Sequence, residues 1–300
     1  MKIVIIGPGA MGCLLAGLLA SAHEVHILDK HPARAAQIMQ QGLQIEDQHG
    51  RRRIPIRVTT HAVTLAGADL VIVCVKAFDT GSVLPALTLL AASHTQVLTL
   101  QNGLGNVEQL LTILPASRVF AGGTAHGATL LGTGHVRHAG SGPTTVSSPH
   151  AHQRAIKKLA YSLSAAGLAT EPAPEILPVL WSKLVINAAI GPVSALAGVP
   201  NGQLLELRSW RDLLRAAALE SAAVAERQGI RLLYPDPVAA VEEGCRRTAT
   251  NFSSMLQDVR RGGRTEIDAI NGAIIRAAAA LDLATPVNTD LVRRLRAASG

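Results

Sequence analysis

The sequence predicts an α/β protein in which an N-terminal doubly wound parallel sheet is followed by an all-α C-terminal domain. Three observations lead to this prediction. Short β-like runs alternate with helical runs through the first half, which is typical of parallel βαβ units. A glycine-rich turn joins the first strand to the first helix, and from about residue 176 onward the apolar residues recur at helical spacing.

Four short apolar runs are the clearest strands of the first half. They are KIVIIG at 2–7, EVHILD at 24–29, DLVIVCVK at 69–76 and QVLTLQ at 96–101. Amphipathic stretches predict the helices that alternate with them, at 9–21, 32–41, 80–92 and 104–113. Three further β-like pieces are interrupted by glycines, so we expect a meander with a hairpin at the sheet edge. These pieces are 117–130, 133–138 and 143–147.

A cluster of prolines at 172, 174 and 178 marks a change in composition. We therefore expect a dinucleotide-binding type of domain at 1–172 and a helical substrate domain at 173–300. Periodic apolar spacing predicts five helices in the second domain. They are 176–189, 209–229, 236–248, 266–282 and 286–298.

The composition indicates which class of protein the chain belongs to. Hydrophobic residues make up 48% and charged residues 16% of the 300 residues, which is typical of a packed globular protein. No apolar run reaches the roughly 18 residues that span a bilayer, and the N-terminus lacks a secretory pattern. We therefore expect no membrane partner and a cytoplasmic location.

The net charge of +7 is compatible with nucleic-acid binding. The lysines and arginines are dispersed along the chain, however, and aromatic residues, which would stack on bases, make up only 2%. We expect no nucleic-acid partner, since a basic field also attracts an anionic cofactor and substrate. The three cysteines, Cys13, Cys74 and Cys245, have no metal-ligand spacing. The 11 histidines form no helical pair of the metal-binding kind. We expect core thiols and no metal.

The glycine-rich turn has the pattern G-x-G-x-x-G. Gly7 would allow a tight turn, Gly9 would let the backbone approach a pyrophosphate, and Gly12 would let the helix pack close to the strand. Free N–H groups at the helix start would face the anion. The hexapeptide alone also fits a purely structural turn, but the strand before it and the helix after it favour a dinucleotide site of the Rossmann type. The residues expected to hold the dinucleotide there are Gly7, Pro8, Gly9, Ala10, Met11 and Gly12.

The end of the second strand bears on which dinucleotide is bound. Asp29 lies where an acidic side chain accepts hydrogen bonds from a ribose diol and favours NAD. Lys30, His31 and Arg34 follow it and are able to bind a 2′-phosphate instead. Asp29 also fits a structural role as the cap of the helix at 33–41. These residues leave the choice between NAD and NADP open.

Two other strand ends carry polar groups where ligands collect in doubly wound sheets. Lys76 closes the third strand, and Asn102 with Gly103 follows the fourth. An isolated Lys of this kind is often a solvated surface group, and Asn-Gly is often a turn. Their occurrence opposite a glycine-rich loop favours a functional interpretation.

The second domain contains three candidate segments. Lys183 and Asn187 share one helix face in an apolar setting, where desolvation eases loss of a proton from the ammonium; a snorkelling lysine is the alternative. Asn251 and Ser254 would bind a small polar ligand from one face, or act as helix caps. Thr265 would cap the long helix expected at 266–282, with Glu266 in the first turn of that helix.

The chain resembles the 2-dehydropantoate 2-reductase, or ketopantoate reductase, family over nearly its whole length. Six separated segments carry the resemblance. They are GPGAMG at 7–12, VKAF at 75–78, QNGLGN at 101–106, WSKLVINAAIGP at 181–192, PNG at 200–202, and TATNFSSMLQDVRRGGRTEIDAINGAII at 248–275.

The resemblance implies NADPH-dependent reduction of ketopantoate to (R)-pantoate, on the route to pantothenate and coenzyme A. It implies that Lys183 is the catalytic general acid and that Glu266 is the second catalytic residue, which binds the substrate hydroxyl. The implied cofactor-side residues include Lys30, Lys76 and Asn102. The implied substrate-binding residues are Asn102, Asn187, Asn201, Asn251 and Ser254.

The sequence departs from the family pattern at two places. Gly191 precedes Pro192 where the family often has Asn-Pro, and Lys30, preceded by Asp29, stands where the family usually has Arg. NADP is the expected cofactor, with NAD as the alternative because of Asp29. A paralogous reductase of another 2-keto or hydroxy acid is the alternative function, and a monomer or homodimer is expected.

Overall fold

The computed structural model describes residues 1–299. The chain divides into two compact units. Unit 1 comprises Met1–Gln101 and Asn106–Ile176, and unit 2 comprises Asn102–Gly105 together with the chain from Leu177 onward. The short segment that carries Asn102 therefore belongs with the C-terminal unit although it lies within the N-terminal half of the sequence.

Among residues 1–299, twelve strands form two sheets, both in unit 1. They are β1 (Lys2–Ile6), β2 (Glu24–Leu28), β3 (Leu43–Asp47), β4 (Gly50–Ile54), β5 (Arg57–Thr59), β6 (Leu70–Val73), β7 (Gln96–Thr99), β8 (Val119–Thr124), β9 (Gly127–Gly132), β10 (His135–Gly140), β11 (Thr144–Ser147) and β12 (Thr170–Pro172).

The larger sheet has the strand order β12-β11-β8-β7-β6-β1-β2-β5. Its neighbouring strands are parallel except for β8 and β11. Strands β5, β2, β1, β6, β7 and β8 reproduce the order of a Rossmann dinucleotide-binding sheet. The predicted fold class is confirmed.

Eleven α-helices in the described part of the chain complete the two units. They are α1 (Ala10–Leu19), α2 (Pro32–Gln41), α3 (Thr80–Leu90), α4 (Asn106–Leu111), α5 (Gln153–Ala165), α6 (Ile176–Ala197), α7 (Arg208–Arg227), α8 (Pro237–Arg247), α9 (Ser254–Arg260), α10 (Asn271–Ala279) and α11 (Pro286–Ser299).

Strand β1 shows why the large sheet is covered on both faces. Ile3 and Ile5 are fully buried in a core that includes α1 and α5, whereas Val4 and Ile6 are buried in a second core that includes α3 and α4. Successive side chains of a strand point to opposite faces. A continuous apolar run such as KIVII is therefore typical of a strand with helices on both sides.

The expected meander at the sheet edge is wrong in part. The hairpin is present as β9 and β10, but these strands pair with β3 and β4 in a separate sheet of order β4-β3-β10-β9. Its inward side chains, among them Ile45 and Val136, join the core around α1. Helix α1 accommodates them because Gly17 has no side chain; a Cβ there would lie 2.1 Å from Cδ1 of Ile45.

Helix α6 is long and apolar enough to cross a membrane, by length and composition only. Most of this apolar stretch is buried inside the protein, as a core helix would be. The expectation that no apolar run is long enough to span a bilayer is therefore wrong for this helix, whose apolar sequence continues past Lys183.

The helix expected at 266–282 is shorter and begins at Asn271. The backbone carbonyl of Glu266 accepts hydrogen bonds from the N–H groups of Ala269 and Ile270, at 3.0 and 3.1 Å, so residues before Asn271 form a turn instead. Thr265 therefore does not cap the helix, whose N-cap is Ile270. The expectation that Glu266 lies in the first helical turn is wrong.

Candidate functional site

The glycine-rich turn of unit 1 has the geometry that its pattern predicts. Gly7 has φ +99°, a conformation that L side chains rarely adopt, and a Cβ there would lie 2.8 Å from Cγ1 of Val75. A Cβ on Gly12 would lie 2.0 Å from the carbonyl oxygen of Gly7. Two of the three glycines are thus required by the protein's own packing.

Gly9 differs, because a Cβ there would meet no described atom within 4 Å. Gly9 is the N-cap of α1 and offers no side-chain cap, so the first N–H groups of this 10-residue helix are not capped by it. Such N–H groups and the helix dipole favour an anion. The open space at Gly9 fits the close approach of a pyrophosphate, with Pro8, Ala10 and Met11 completing the loop.

These glycines give a matched pair of variants. We expect Gly12→Ala to lower stability by about 1–3 kcal/mol, because the added methyl group collides with backbone. Gly9→Ala should leave the melting temperature unchanged but weaken dinucleotide binding about tenfold or more, because its methyl group points where the ligand approaches. Thermal unfolding and a fluorescence titration with NADPH measure both effects. Unchanged binding in Gly9→Ala would remove the loop from the dinucleotide site.

Asp29 is buried, at 2% exposure, and is paired with Arg34. Its carboxylate accepts hydrogen bonds from Nε and Nη2 of Arg34 at 2.6 and 2.5 Å, and from the backbone N–H of His31 at 3.1 Å. The hydrogen bond to Asp29 raises the pKa of Arg34. The N-cap of α2 is His31 and no side chain caps it, so the alternative role of Asp29 as a helix cap is wrong.

Lys30 is largely exposed, and its ammonium lies 3.3 Å from a carboxylate oxygen of Asp79. Exposed pairs of this kind contribute little free energy, so Lys30 remains available to an incoming phosphate. Lys76 lies beyond the end of β6, where it is the N-cap of a short 3-10 turn at Ala77–Asp79. Both cations thus lie near carboxyl ends of strands in the large sheet.

Lys183 lies on α6 in unit 2, with Asn187 one turn further along. Burial lowers the pKa of Lys183 from 10.5 to about 8, and the opposing charge of Glu266 limits the decrease. A lysine with this pKa exists in both protonation states near neutral pH. Lys183 is therefore suited to donate a proton and to be protonated again afterwards.

Three polar side chains of unit 2 form a hydrogen-bonded row close to this lysine. Nδ2 of Asn187 donates to Oδ1 of Asn102 at 3.3 Å, and Nδ2 of Asn102 donates to Oε2 of Glu266 at 3.5 Å. Glu266 is buried, at 5% exposure. The structure thus brings together residues that are far apart in sequence, and it explains why Asn102 belongs to unit 2.

Asn201 is buried and lies beside the segment that precedes α9. Its Nδ2 donates to Oγ1 of Thr248 at 2.9 Å, and its backbone N–H donates to the carbonyl of Asn251 at 2.9 Å. Oδ1 of Asn201 is buried without a hydrogen-bond partner among residues 1–299. An orphaned buried acceptor costs free energy, which a donor on a ligand would recover.

Asn251 and Ser254 do not share a helix face, contrary to expectation. Helix α9 begins at Ser254, so Asn251 precedes it, and the N-cap is Ser253. Oγ of Ser253 accepts from the N–H of Leu256 at 3.1 Å and donates to the carbonyl of Gly191 at 3.2 Å. Ser253 is not among the residues predicted from the sequence, because the run Ser-Ser before an apolar residue does not show which serine is the cap.

The cysteines show no sign of reactivity. Burial raises the pKa of each of the three thiols, Cys13, Cys74 and Cys245, to about 12. In the part of the chain that the structure describes, no three His, Cys, Asp or Glu side chains are grouped so as to hold a metal ion.

Comparison with known proteins identifies the family. The family described as Ketopantoate reductase PanE/ApbA matches residues 3–150, and its C-terminal counterpart matches residues 175–299. A 2-dehydropantoate 2-reductase of Halobacterium salinarum is 36% identical over 299 residues, which are 98% of each chain.

Solved structures agree over the full chain. The crystal structure of a PanE/ApbA family ketopantoate reductase from Ralstonia eutropha is similar with a TM-score of 0.88 and 33% identity, covering 100% of this chain and 98% of the other. A ternary structure of D-mandelate dehydrogenase with NADH and anilino(oxo)acetate is similar with a TM-score of 0.94 and 28% identity, with the same coverage. The resemblance seen in the sequence is confirmed. The chain belongs to the ketopantoate reductase PanE/ApbA family of nicotinamide-dependent oxidoreductases.

Proposed function

We propose that this protein is a 2-dehydropantoate 2-reductase that uses NADPH to reduce ketopantoate to (R)-pantoate, with Lys183 as general acid. The observation that supports this most strongly is the row of Asn187, Asn102 and Glu266 beside a lysine whose pKa is lowered to about 8. Reduction of a ketone requires a hydride at carbon and a proton at oxygen. When bound, NADPH supplies the hydride.

Lys183 supplies the proton. As the 2-keto oxygen gains negative charge, the nearby ammonium stabilises it and then transfers a proton from Nζ, which leaves a neutral amine and a hydroxyl group. Burial favours this transfer because the neutral amine is the better tolerated form in a desolvated setting. Water then returns a proton to the amine.

Glu266 and the asparagines hold the reacting groups. The buried carboxylate of Glu266 would accept a hydrogen bond from the substrate hydroxyl, and its charge keeps Lys183 protonated at neutral pH. Asn102, Asn187, Asn201, Asn251 and Ser254 would bind the remaining polar groups of the substrate.

The glycine loop Gly7–Gly12, Lys30 and Lys76 would hold the dinucleotide, with Asn102 contributing as well. We propose NADPH as the preferred form because Arg34 already compensates the charge of Asp29, which otherwise repels a 2′-phosphate. Lys30 adds a cation at the same strand end.

Arg34→Ala tests this choice of cofactor. Removal of the guanidinium leaves the Asp29 carboxylate free to accept ribose hydroxyls and to repel a 2′-phosphate. We expect the ratio of kcat/KM with NADPH to that with NADH to fall about tenfold or more. Arg154→Ala, at an exposed position on α5, is the control. Equal losses with both dinucleotides would contradict the assignment.

The proposed function is tested by initial rates with ketopantoate and either reduced nicotinamide, followed by absorbance. We expect turnover that is faster with NADPH than with NADH and that depends on Lys183. Absence of turnover with both dinucleotides would overturn the proposal.

One observation favours a second candidate, a paralogous reductase of another 2-keto or hydroxy acid. Gly191 lies one turn after Asn187 on α6 and contributes no polar side chain. A Cβ there would lie 3.1 Å from Sδ and 3.3 Å from Cε of Met255, so the surroundings are apolar. The similar D-mandelate dehydrogenase was solved with NADH. A panel that includes an aromatic 2-keto acid such as phenylglyoxylate separates the candidates by kcat/KM.

We also propose that the protein acts in the cytoplasm on the route to pantothenate and coenzyme A, as a monomer or homodimer, with neither nucleic acid nor membrane as partner. The ketopantoate assay addresses the reaction on that route, and a measurement of molecular mass in solution addresses the oligomeric state.

A further inference from the structure

Helix α6 contains a proline at an unusual place, Pro192, well inside its 22 residues. Proline has no N–H, so the carbonyl four residues earlier, that of Ala188, loses its helical hydrogen-bond partner. Ala188 is fully buried, so solvent does not replace that partner. A buried carbonyl that is left without a hydrogen-bond partner is destabilising.

The structure supplies a donor from another helix. Nδ2 of Asn271, the first residue of α10, donates to the carbonyl of Ala188 at 2.8 Å. We propose that Asn271 is a positioning residue: its side-chain amide replaces the hydrogen bond that Pro192 withholds, and so fixes the part of α6 that carries Lys183 and Asn187.

The hydrogen bonds around Asn271 show that its side-chain amide acts as a donor. The residue is fully buried, and Nδ2 uses its second hydrogen for Oδ1 of Asn288 at 2.9 Å. Asn288 is oriented in turn, because its own Nδ2 donates to Oε1 of Glu220 at 2.8 Å. Oδ1 of Asn271 has no partner among the described residues. A residue that leaves its acceptor unsatisfied while both donor hydrogens are used is placed there to donate.

The location of Asn271 connects this bond to the candidate site. The same short segment, 266–271, contains Glu266 at its start and Ala269, whose carbonyl accepts from the N–H of Leu104 at 3.0 Å. A Cβ on Gly103 would lie 2.3 Å from that carbonyl oxygen, so the loop carrying Asn102 packs tightly against the segment. One segment thus contacts both the loop and α6 while supplying the carboxylate.

The functional consequence is expected at Lys183. Ala188 lies five residues after Lys183, about 7.5 Å along a helix that rises about 1.5 Å per residue. A shift of this part of α6 by about 1 Å would misplace the lysine and lower the rate by about 10²-fold. It would also admit water, which reverses the desolvation that lowers the lysine's pKa.

A double-mutant cycle tests the proposal. Pro192→Ala restores an N–H for the Ala188 carbonyl, so the donor of Asn271 becomes dispensable in that background. We expect Asn271→Ala alone to lower kcat/KM between about tenfold and 10²-fold. In the Pro192→Ala background the same change should cost no more than about twofold, because two changes that act through the same hydrogen bond are not additive. Equal losses in the two backgrounds would overturn the proposal.

A second readout does not depend on turnover. The rate at which Lys183 reacts with an amine reagent, followed by mass spectrometry against pH, reports its pKa directly. We expect the midpoint at about 8 in the unmodified protein, a higher midpoint in Asn271→Ala, and recovery in the double variant. The kinetic readout rests on the proposed function, whereas the labelling of Lys183 does not. Absence of turnover together with the expected labelling pattern would therefore refute the proposed function and leave the role of Asn271 supported.

Glu242→Gln is the control for a purely structural loss. Glu242 is also buried in unit 2, at 7% exposure, and it forms ion pairs with Arg211 and Arg246, neither of which lies on α6. The change should lower the melting temperature without moving the Lys183 midpoint. If Asn271→Ala does not fold, recovery of folded protein in the double variant supports the proposal, and failure of the double variant to fold contradicts it.

Discussion

Lys183→Ala is expected to lower kcat for ketopantoate reduction by about 10²-fold or more, the usual scale for loss of a general acid. The ammonium is the only group that the proposed mechanism uses to deliver a proton to the ketone oxygen. Alanine removes both that proton and the charge that stabilises the oxygen. Binding of the dinucleotide should be unchanged, because Lys183 is not among the residues proposed to hold it.

Lys158→Ala is the matched control, since Lys158 is an exposed lysine on α5. It should leave kcat within about twofold of the unmodified protein. Steady-state kinetics with saturating NADPH provides both numbers. Unchanged turnover in Lys183→Ala would remove this lysine from the mechanism.

Glu266→Gln is expected to shift the pH dependence of the reaction and to lower kcat/KM about tenfold or more above a pH of about 8. The acid must be protonated, so kcat/KM falls as pH rises through the pKa of Lys183, about 8. The carboxylate of Glu266 raises that pKa against the effect of burial. Its replacement by a neutral amide therefore lowers the pKa, and the fall begins at lower pH.

The amide that Glu266→Gln introduces can still accept the hydrogen bond from Asn102, so the comparison isolates the charge. Glu243→Gln is the control because Glu243 is an exposed carboxylate on α8, with 57% side-chain exposure. Profiles of kcat/KM against pH for the three proteins make the measurement. A profile of Glu266→Gln that coincides with that of the unmodified protein would show that this charge does not act on the lysine.

The sequence is sufficient for elements whose signal is local and strong. The apolar run of β1 and the glycine pattern after it predict the Rossmann sheet. This local signal is reliable because a side chain at Gly7 or Gly12 would collide with neighbouring atoms. Helix α5 is absent from the sequence prediction, although Ile156, Leu159, Ala160 and Leu163 recur at helical spacing and are buried.

Other features depend on partners that the sequence does not reveal. Strand β4 is largely polar, and β3 has only two apolar residues, Leu43 and Ile45; their sheet is completed by β10, which pairs with β3. Glu266 lies in a turn because its carbonyl accepts from Ala269 and Ile270, which helical periodicity alone does not indicate. The pairing of Asp29 with Arg34 likewise emerges only from the structure, although the sequence draws attention to both residues.

The candidate residues of unit 2 likewise combine a local sequence signal with contacts that only the fold creates. The helical spacing of Lys183 and Asn187 is local, and it holds in α6. The hydrogen-bonded connection of Asn187 through Asn102 to Glu266 includes two residues that are 164 positions apart in the chain. Only the fold brings these groups together, and only burial in that fold lowers the pKa of the lysine.

The pH dependence of NADPH oxidation with ketopantoate, measured on the unmodified protein, tests both the reaction and the role of Lys183. We expect turnover whose kcat/KM is constant below the pKa of Lys183 and falls about tenfold per pH unit above about 8. Turnover that rises through this range would contradict Lys183 as the acid, and absence of turnover with either nicotinamide would contradict the proposed reaction.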